Sequence, residues 1–344
     1  MEREKEKPVE GNGPCPYEEL AREAWESSAE YDGKPWDETE PVARELREKK
    51  KDLVIIALTD HGRFGDTAVA HAVAASMIFH AELCIIPLTP ATEPESETMR
   101  HSLHVADRQG IPVTWHPYEN GLKRKLPAIA ESVNAMMLVI GAAPDREPAF
   151  FTVKRALRWI RGSRIPALVV GGQLPRPDSY RSILLPLDTS VYSKEKALWA
   201  GYFHRFYHAD IHLLYKNYRD DYLEQKLKAN LQFTEKIYRN LEIPSTRHDI
   251  DDCWEEIESY ALRFAPEVHG SLMVCMTTRY PTPADWIFGR KEKRLLKKAK
   301  GFPLLLINQR DDLYVLCTGR YDNALLTTAA SFRICSYSSG VRSP

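Results

Sequence analysis

Five short apolar stretches of this chain occur twice, in the same order, and that repetition restricts the fold more than any single motif does. "DLVIIALTD" (52–60) is answered by "RSILLPLDT" (181–189), and "FHAELCIIPL" (79–88) by "YHADIHLLYK" (207–216). "IPVTWH" (111–116) and "IPSTRH" (243–248) share Ile-Pro, Thr and His, "AMMLVIGA" (135–142) matches "SLMVCMTT" (271–278), and "RIPALVVGG" (164–172) matches "GFPLLLINQ" (301–309). The offsets grow from about 128 to 137. One such match is chance, but five in register mean two copies of one unit.

Each copy alternates β-rich apolar runs with longer segments of helical period. "TAVAHAVAASMIFHA" and "GLKRKLPAIAESV" carry that period in the first, "KEKALWAGYFHRFYH" and "DYLEQKLKANLQFTEKIYRNL" in the second. Runs apolar at nearly every position suit parallel strands covered on both faces. Strand–helix alternation then predicts right-handed crossovers and a doubly wound sheet. The expected fold class is therefore α/β, with two tandem five-stranded parallel-sheet sandwiches of roughly 120–135 residues each. The predicted boundaries are 52–173 and 181–317, joined by the Pro- and Gly-bearing hinge "GGQLPRPDSY". Residues 1–51 read as a charged helical extension that packs on the first domain or serves as a partner-binding arm. Residues 318–344 are Ser- and Thr-rich with weak periodicity, a poorly ordered tail.

Composition narrows the class. Among 344 residues, 43% are apolar, enough for a sizeable core, and the formal net charge of −1 gives no argument for nucleic acid or an anionic membrane. Six cysteines are scattered without a C-x-x-C pair, several of them in strand-like runs, which suits a reducing compartment. The charged N-terminus lacks the apolar region of a signal peptide, and no apolar run approaches the roughly 20 residues that span a bilayer. A cytoplasmic, soluble protein is expected.

The run "LLPLDTSVYSKEKALWA", repeated in outline at the start of the first copy, resembles the opening strand, loop and first helix of the universal stress protein family, whose fold is adenine nucleotide alpha hydrolase-like. The resemblance covers about 50–175 and 180–310. It implies that nucleotide-binding members place adenine and ribose against the ends of strands 1 and 2, near a strand-1 Asp. It also implies a triphosphate held by a Gly-x2-Gly-x9-Gly-Ser/Thr loop after strand 4, where glycines let backbone N–H groups approach phosphate beside a helix N-terminus. Carried onto this chain, Asp188, followed by Thr189, takes the place of the strand-1 acid. Thr59 aligns with Asp188 in the first copy, with Asp60 beside it, and Gly141 takes the first loop glycine, its counterpart being Thr277.

The remainder of that loop departs from the pattern. Its second glycine is Pro144 in one copy and Tyr280 in the other, and Lys154-Arg155 and Arg290-Lys291 stand where Gly-Ser/Thr would follow; Gly289 falls one residue early. Proline removes a donor and tyrosine blocks close approach. The basic pairs read either as the solvated face of the last helix or as side chains that hold an anion by charge. ATP or AMP thus enters as a cofactor only on the second of these readings.

Other clusters have plainer roles. His204 and His208 lie one helical turn apart with His212 four residues on, a spacing open to metal ligation, yet the His-Ala corner recurs in both copies and reads as structural. "RHDIDDC" (247–253) reads as a helix-capping loop rather than an ion site. His61 and Asp66 flank "GRFG", a turn into the first helix that could approach a ligand. Ser190 reads as a helix cap. The chain has no G-x-S-x-G elbow and no Walker-type loop, so no catalytic role is assigned. The leading expectation is a non-catalytic tandem module with a stress-response role through protein contacts. Its two halves would pair through their last strands, "ALVVGG" and "PLLLINQ", with whole-chain dimerisation also open. The alternative is an ATP/AMP-binding sensor built on the Asp188 pocket with a non-standard phosphate site. The protein partner is not named by the sequence.

Overall fold

The two sets of apolar runs fold as two copies of one β-α-β progression. The computed structural model describes residues 53–90, 96–143, 149–163, 165–190, 193–250, 255–277 and 291–308. The N-terminal extension, the tail, Pro144, Tyr280, Gly289 and Arg290 lie outside them. The first half runs β1 (Val54–Thr59), α1 (Arg63–Phe79), β2 (Glu82–Pro87), α2 (Glu97–Arg108), β3 (Val113–Trp115), α3 (Leu122–Ser132), β4 (Ala135–Gly141), α4 (Val153–Ser163) and β5 (Ala167–Val170). The second runs β6 (Ser182–Leu187), α5 (Ser193–Tyr207), β7 (Asp210–Lys216), α6 (Asp221–Asn240), β8 (Ser245–Ile250) and α7 (Ile257–Phe264), which continues as a 3-10 turn (Ala265–Val268). It ends with β9 (Leu272–Met276), α8 (Lys291–Ala299) and β10 (Leu304–Ile307). Among the described residues no helix is long and apolar enough to cross a membrane.

All ten strands form one sheet, in the order β3-β2-β1-β4-β5-β10-β9-β6-β7-β8. Within each half the pairing is parallel. The halves join through β5 and β10, which pair antiparallel with Leu305 opposite Leu168. The α/β class and doubly wound topology expected from the alternation are those observed. The recurrent His-Ala corner is structural: His80 and His208 take left-handed φ values of 51° and 48°, ending α1 and α5 in the same way.

The junction explains an oddity of α1, which is buried at every residue from Phe64 to Phe79. A helix buried all round needs cover on both sides. The sheet supplies one cover; α2 and α5 supply the other. Phe79 meets Phe203 edge-on at 4.9 Å and Phe206 at 5.6 Å, and Tyr180 lies 5.8 Å from Phe203. On the opposite face α4 meets α8, where Arg161 pairs with the buried Glu292. Asn308 donates from its side-chain amide to the Ile160 and Ile165 carbonyls at 2.9 and 3.2 Å.

The hinge between the halves is strapped down. His71 Nε2 lies 2.9 Å from the Gln173 carbonyl, which can only accept, so this nitrogen carries the proton and Nδ1 accepts the Tyr180 hydroxyl. Tyr207 donates to the Pro177 carbonyl at 2.7 Å from the other half. Where the chains cross, Gly171 and Gly301 touch backbone to backbone: a Cβ on Gly171 would stand 2.5 Å from Gly301 Cα, and Gly301 has φ of 92°. Gly171→Ala should therefore cost ~1–3 kcal/mol by overpacking, read as a lower urea midpoint at unchanged slope.

Burial pushes the His71 imidazole down to about 4. Its unfolded value is about 6.5, so the unfolded chain takes up a proton first as pH falls. The stability tied to neutral His71 is complete above pH ~6.5 and drains away between ~6.5 and ~4, by about 3 kcal/mol at the limit. Urea unfolding at several pH values should show this slope in the native chain and its loss in His71→Gln.

Candidate functional site

Open α/β sheets bind ligands beyond the carboxyl ends of their strands, where the strand order reverses. Here that point lies between β1 and β4 in the first half and between β6 and β9 in the second. The strand register first corrects the sequence alignment. Val54 pairs with Glu82 as Ser182 pairs with Asp210, which makes Asp60 the counterpart of Asp188, not Thr59. Both acids do the same local work: Asp60 Oδ1 accepts the Gly62 N–H at 3.1 Å and Asp188 Oδ1 accepts the Ser190 N–H at 3.0 Å. Thr59 is fully buried and its hydroxyl accepts from the His61 N–H at 3.0 Å.

The same register moves the second alignment by one. Ala142 donates its N–H to Val170 as Thr277 donates to Ile307, so Thr277 answers Ala142 and Gly141 answers Met276. Gly141 sits inside β4, where a Cβ would fall 1.8 Å from the Phe64 carbonyl oxygen. Its missing side chain makes room for the first turn of α1. Thr277 turns toward the junction, its hydroxyl donating to Asn308 Oδ1 at 2.9 Å. Lys154 and Arg155 lie in the first turn of α4, and Arg155 folds over the Phe150 ring at 3.9 Å.

In the second half, charged side chains from four elements converge on the reversal point. Asp188 ends β6, and Thr189 follows it, half-buried. Lys196 of α5 is fully buried and donates to the Pro186 carbonyl. Lys291 opens α8 and pairs at 2.7 Å with Glu258 of α7, whose side chain is only 5% exposed. Asn230 of α6 holds the loop down, donating to the Asp188 and Ser190 carbonyls at 2.8 Å each. Burial alone would raise the Asp188 carboxyl, but Lys196 and Lys291, with the Ser190 N–H and the Ser193 hydroxyl, hold it below the usual carboxylate range. Burial would likewise lower the Lys291 ammonium, yet Glu258 and Asp188 together hold it well above its ordinary value. Tyr218, after β7, is raised by burial and by Asp188. Among the described residues the Asp188 and Glu258 carboxylates thus face the Lys196 and Lys291 ammonium groups, with Glu256 also acting on Lys291. Glu258 Oε2 is buried with no hydrogen-bond partner.

In the first half Asp60 makes a second bond. Its second oxygen accepts the Phe150 N–H at 3.0 Å, so the connection after β4 is tied to the end of β1. His61 takes a left-handed φ of 58° and lies parallel to Trp115, ring centroids 6.4 Å apart. The tight connection into α1 expected of "GRFG" is present. Asp66 is buried in the first turn of α1, where burial raises its carboxyl. His204 bonds the Ala209 carbonyl through Nδ1 at 2.9 Å, and His212 faces His248 instead. Residues 251–254 of the acidic loop lie outside the described residues, and α7 begins at Ile257.

Sequence reasoning missed Lys196, Glu258 and Asn230. Lys196 was findable, because Ala200, Phe203 and Tyr207 at helical spacing from it are the buried stripe of α5. Glu258 and Asn230 carry no local signal; only the fold brings them to Asp188.

No sequence-family model matches the chain, and no curated protein matches it in sequence. Among solved structures, a universal stress protein from Archaeoglobus fulgidus DSM 4304 superposes with a TM-score of 0.55 at 10% identity, over 75% of this chain and 98% of that one. The fold is that of the universal stress proteins. A functionally unknown protein from Pseudomonas aeruginosa PAO1 superposes at 0.52 and 12% identity, over 77% of this chain and 95% of that one. At such identities the universal-stress-protein likeness extends to the fold and carries no ligand or partner with it.

The charge cluster makes a stability prediction of its own. Lys291→Met strips a deeply buried Glu258 of its cation and should cost about 3 kcal/mol. Glu258→Gln should cost less, about 1–2 kcal/mol, because the Lys291 side chain is 34% exposed and Asp188 remains near it. The double variant should recover part of the loss, and a double-mutant cycle in urea measures the coupling.

Proposed function

We propose that the chain is a non-catalytic tandem module of the universal-stress-protein fold that acts through protein contacts, with both strand-order reversal points closed by its own side chains. The observation that carries this reading is the balance of charge around Asp188. A nucleotide triphosphate needs surplus positive charge and free backbone N–H groups. Lys291 opens the helix after β9 but is committed to Glu258, and Asp188 and Glu258 together offset Lys196 and Lys291. In the first half the Phe150 N–H is already taken by Asp60. Aromatic surface remains available for contacts: Trp115 is 42% exposed and Tyr118 40%, beside the edge strand β3.

Titration calorimetry of the nucleotide-stripped full-length protein with ATP and with AMP tests this. The reading expects no heat and no thermal shift at millimolar ligand. Micromolar binding that disappears in Asp188→Ala would overturn it and make the protein a nucleotide sensor with an unfamiliar phosphate site.

A further inference from the structure

The outermost strands of the second half carry a histidine pair that the reversal point does not use. β7 and β8 pair with Leu214 opposite His248 and His212 opposite Thr246, so the two imidazoles are diagonal neighbours. By the alternation of a strand they share the face of Leu214 and Ile250, the face that packs with α7. His212 Nδ1 lies 3.0 Å from His248 Nε2, with ring centroids 5.2 Å apart. A bond between two ring nitrogens needs one N–H and one lone pair, so the facing nitrogens hold a single proton between them.

That pair seats the end of α7. His248 lies 4.7 Å from the Phe264 ring, and Phe264 is stacked on Tyr260 at 6.0 Å. Among the described residues, Asp210 on β7 acts on His212 and Glu267 in the 3-10 turn acts on His248. Arg263 of α7 is turned away over Tyr260 and pairs with Glu255 at 3.3 Å. Arg247 and Asp249 of β8 alternate to the other face, where Arg247 pairs with Glu235 of α6 and Asp249 accepts from Asn217. The opposite end of α7 carries Glu258, the partner of Lys291. One short helix therefore bridges the histidine pair and the charge cluster.

We propose that the His212–His248 pair is a proton-operated latch beneath α7. With one proton between the facing nitrogens the bond is intact and Phe264 rests on His248. A first proton from solvent settles on the outward nitrogen of the donor ring and leaves the bond in place. A second, on the remaining facing lone pair, makes both rings imidazolium, sets N–H against N–H and breaks the bond. The Phe264 end of α7 then loosens from the sheet edge, and the Glu258–Lys291 pair loosens with it. Burial, together with the mutual repulsion felt by His212, holds both imidazoles below the ordinary range, which places the change on the acid side of neutrality. The latch does not rest on the reading of the Asp188 site proposed above.

Hydrogen exchange of the full-length protein, corrected for the intrinsic pH dependence of the chemistry, tests the latch at pH about 7.5 and about 4.5. Protection in 257–268 should fall about tenfold or more in acid while α1 keeps its protection, and His248→Phe should hold 257–268 protected at both values. Equal acid loss in His248→Phe, or no loss in the native chain, overturns the proposal. Imidazole ¹⁵N spectra of the native protein decide the matter even if the variant misfolds. Coupled titration of His212 and His248, moving with the Phe264 resonances, supports the latch; independent titration that leaves Phe264 unmoved contradicts it.

Discussion

Everything distinctive about this molecule follows from one antiparallel contact, β5 against β10. A five-stranded parallel unit leaves its last strand as an open, apolar edge with unpaired backbone groups. Here each half uses the other to cover that edge, and the ladder from Leu304–Val169 to Leu306–Ala167 turns two sheets into one. The remaining contacts are geometric consequences. α1 must face α5 and α4 must face α8, the hinge must lie in the groove they form, and the chains must cross at Gly171 and Gly301, where no side chain fits. The burial of α1 on all sides, with His71 inside it, makes sense only in that arrangement.

The two halves have kept the same architecture and diverged at the reversal point. Their strand-end acids share a structural duty, accepting the N–H two residues on, and differ in everything else. Asp60 reaches across to Phe150; Asp188 sits in a field of two lysines. Gly141 admits the first turn of α1 against β4, whereas Met276 fills the equivalent place. At the two strand ends the described side chains make different bonds: Asp60 holds the connection after β4, and Asp188 meets two lysines.

Much of this was legible in the sequence, because apolar runs and their helical intervals announce parallel strands without a template. The five repeats located all ten strands and the hinge. Register was not legible at single-residue precision. "LTD" and "LDT" invite alignment of Thr59 with Asp188, but a run apolar on both faces contains nothing that distinguishes one register from the next, and only the backbone pairing decides. The same ambiguity misplaced the partner of Gly141. The charge cluster was hidden for another reason: Glu258 carries no local signal, Lys291 left a solvated helix face and an anion-holding pair both open, and their pairing depends on which helix covers which strand. His71–Tyr180 and His212–His248 are likewise products of tertiary placement, the partners standing 109 and 36 positions apart in the chain.

The claim on which the account stands is that the halves share one structure across β5 and β10, rather than being two domains on a tether. Differential scanning calorimetry of the full-length protein addresses it directly. A single transition whose calorimetric and van't Hoff enthalpies agree is the predicted result. Two separable transitions, or a calorimetric enthalpy about twice the van't Hoff value, would mean that the halves melt independently and that the junction does not hold them as one.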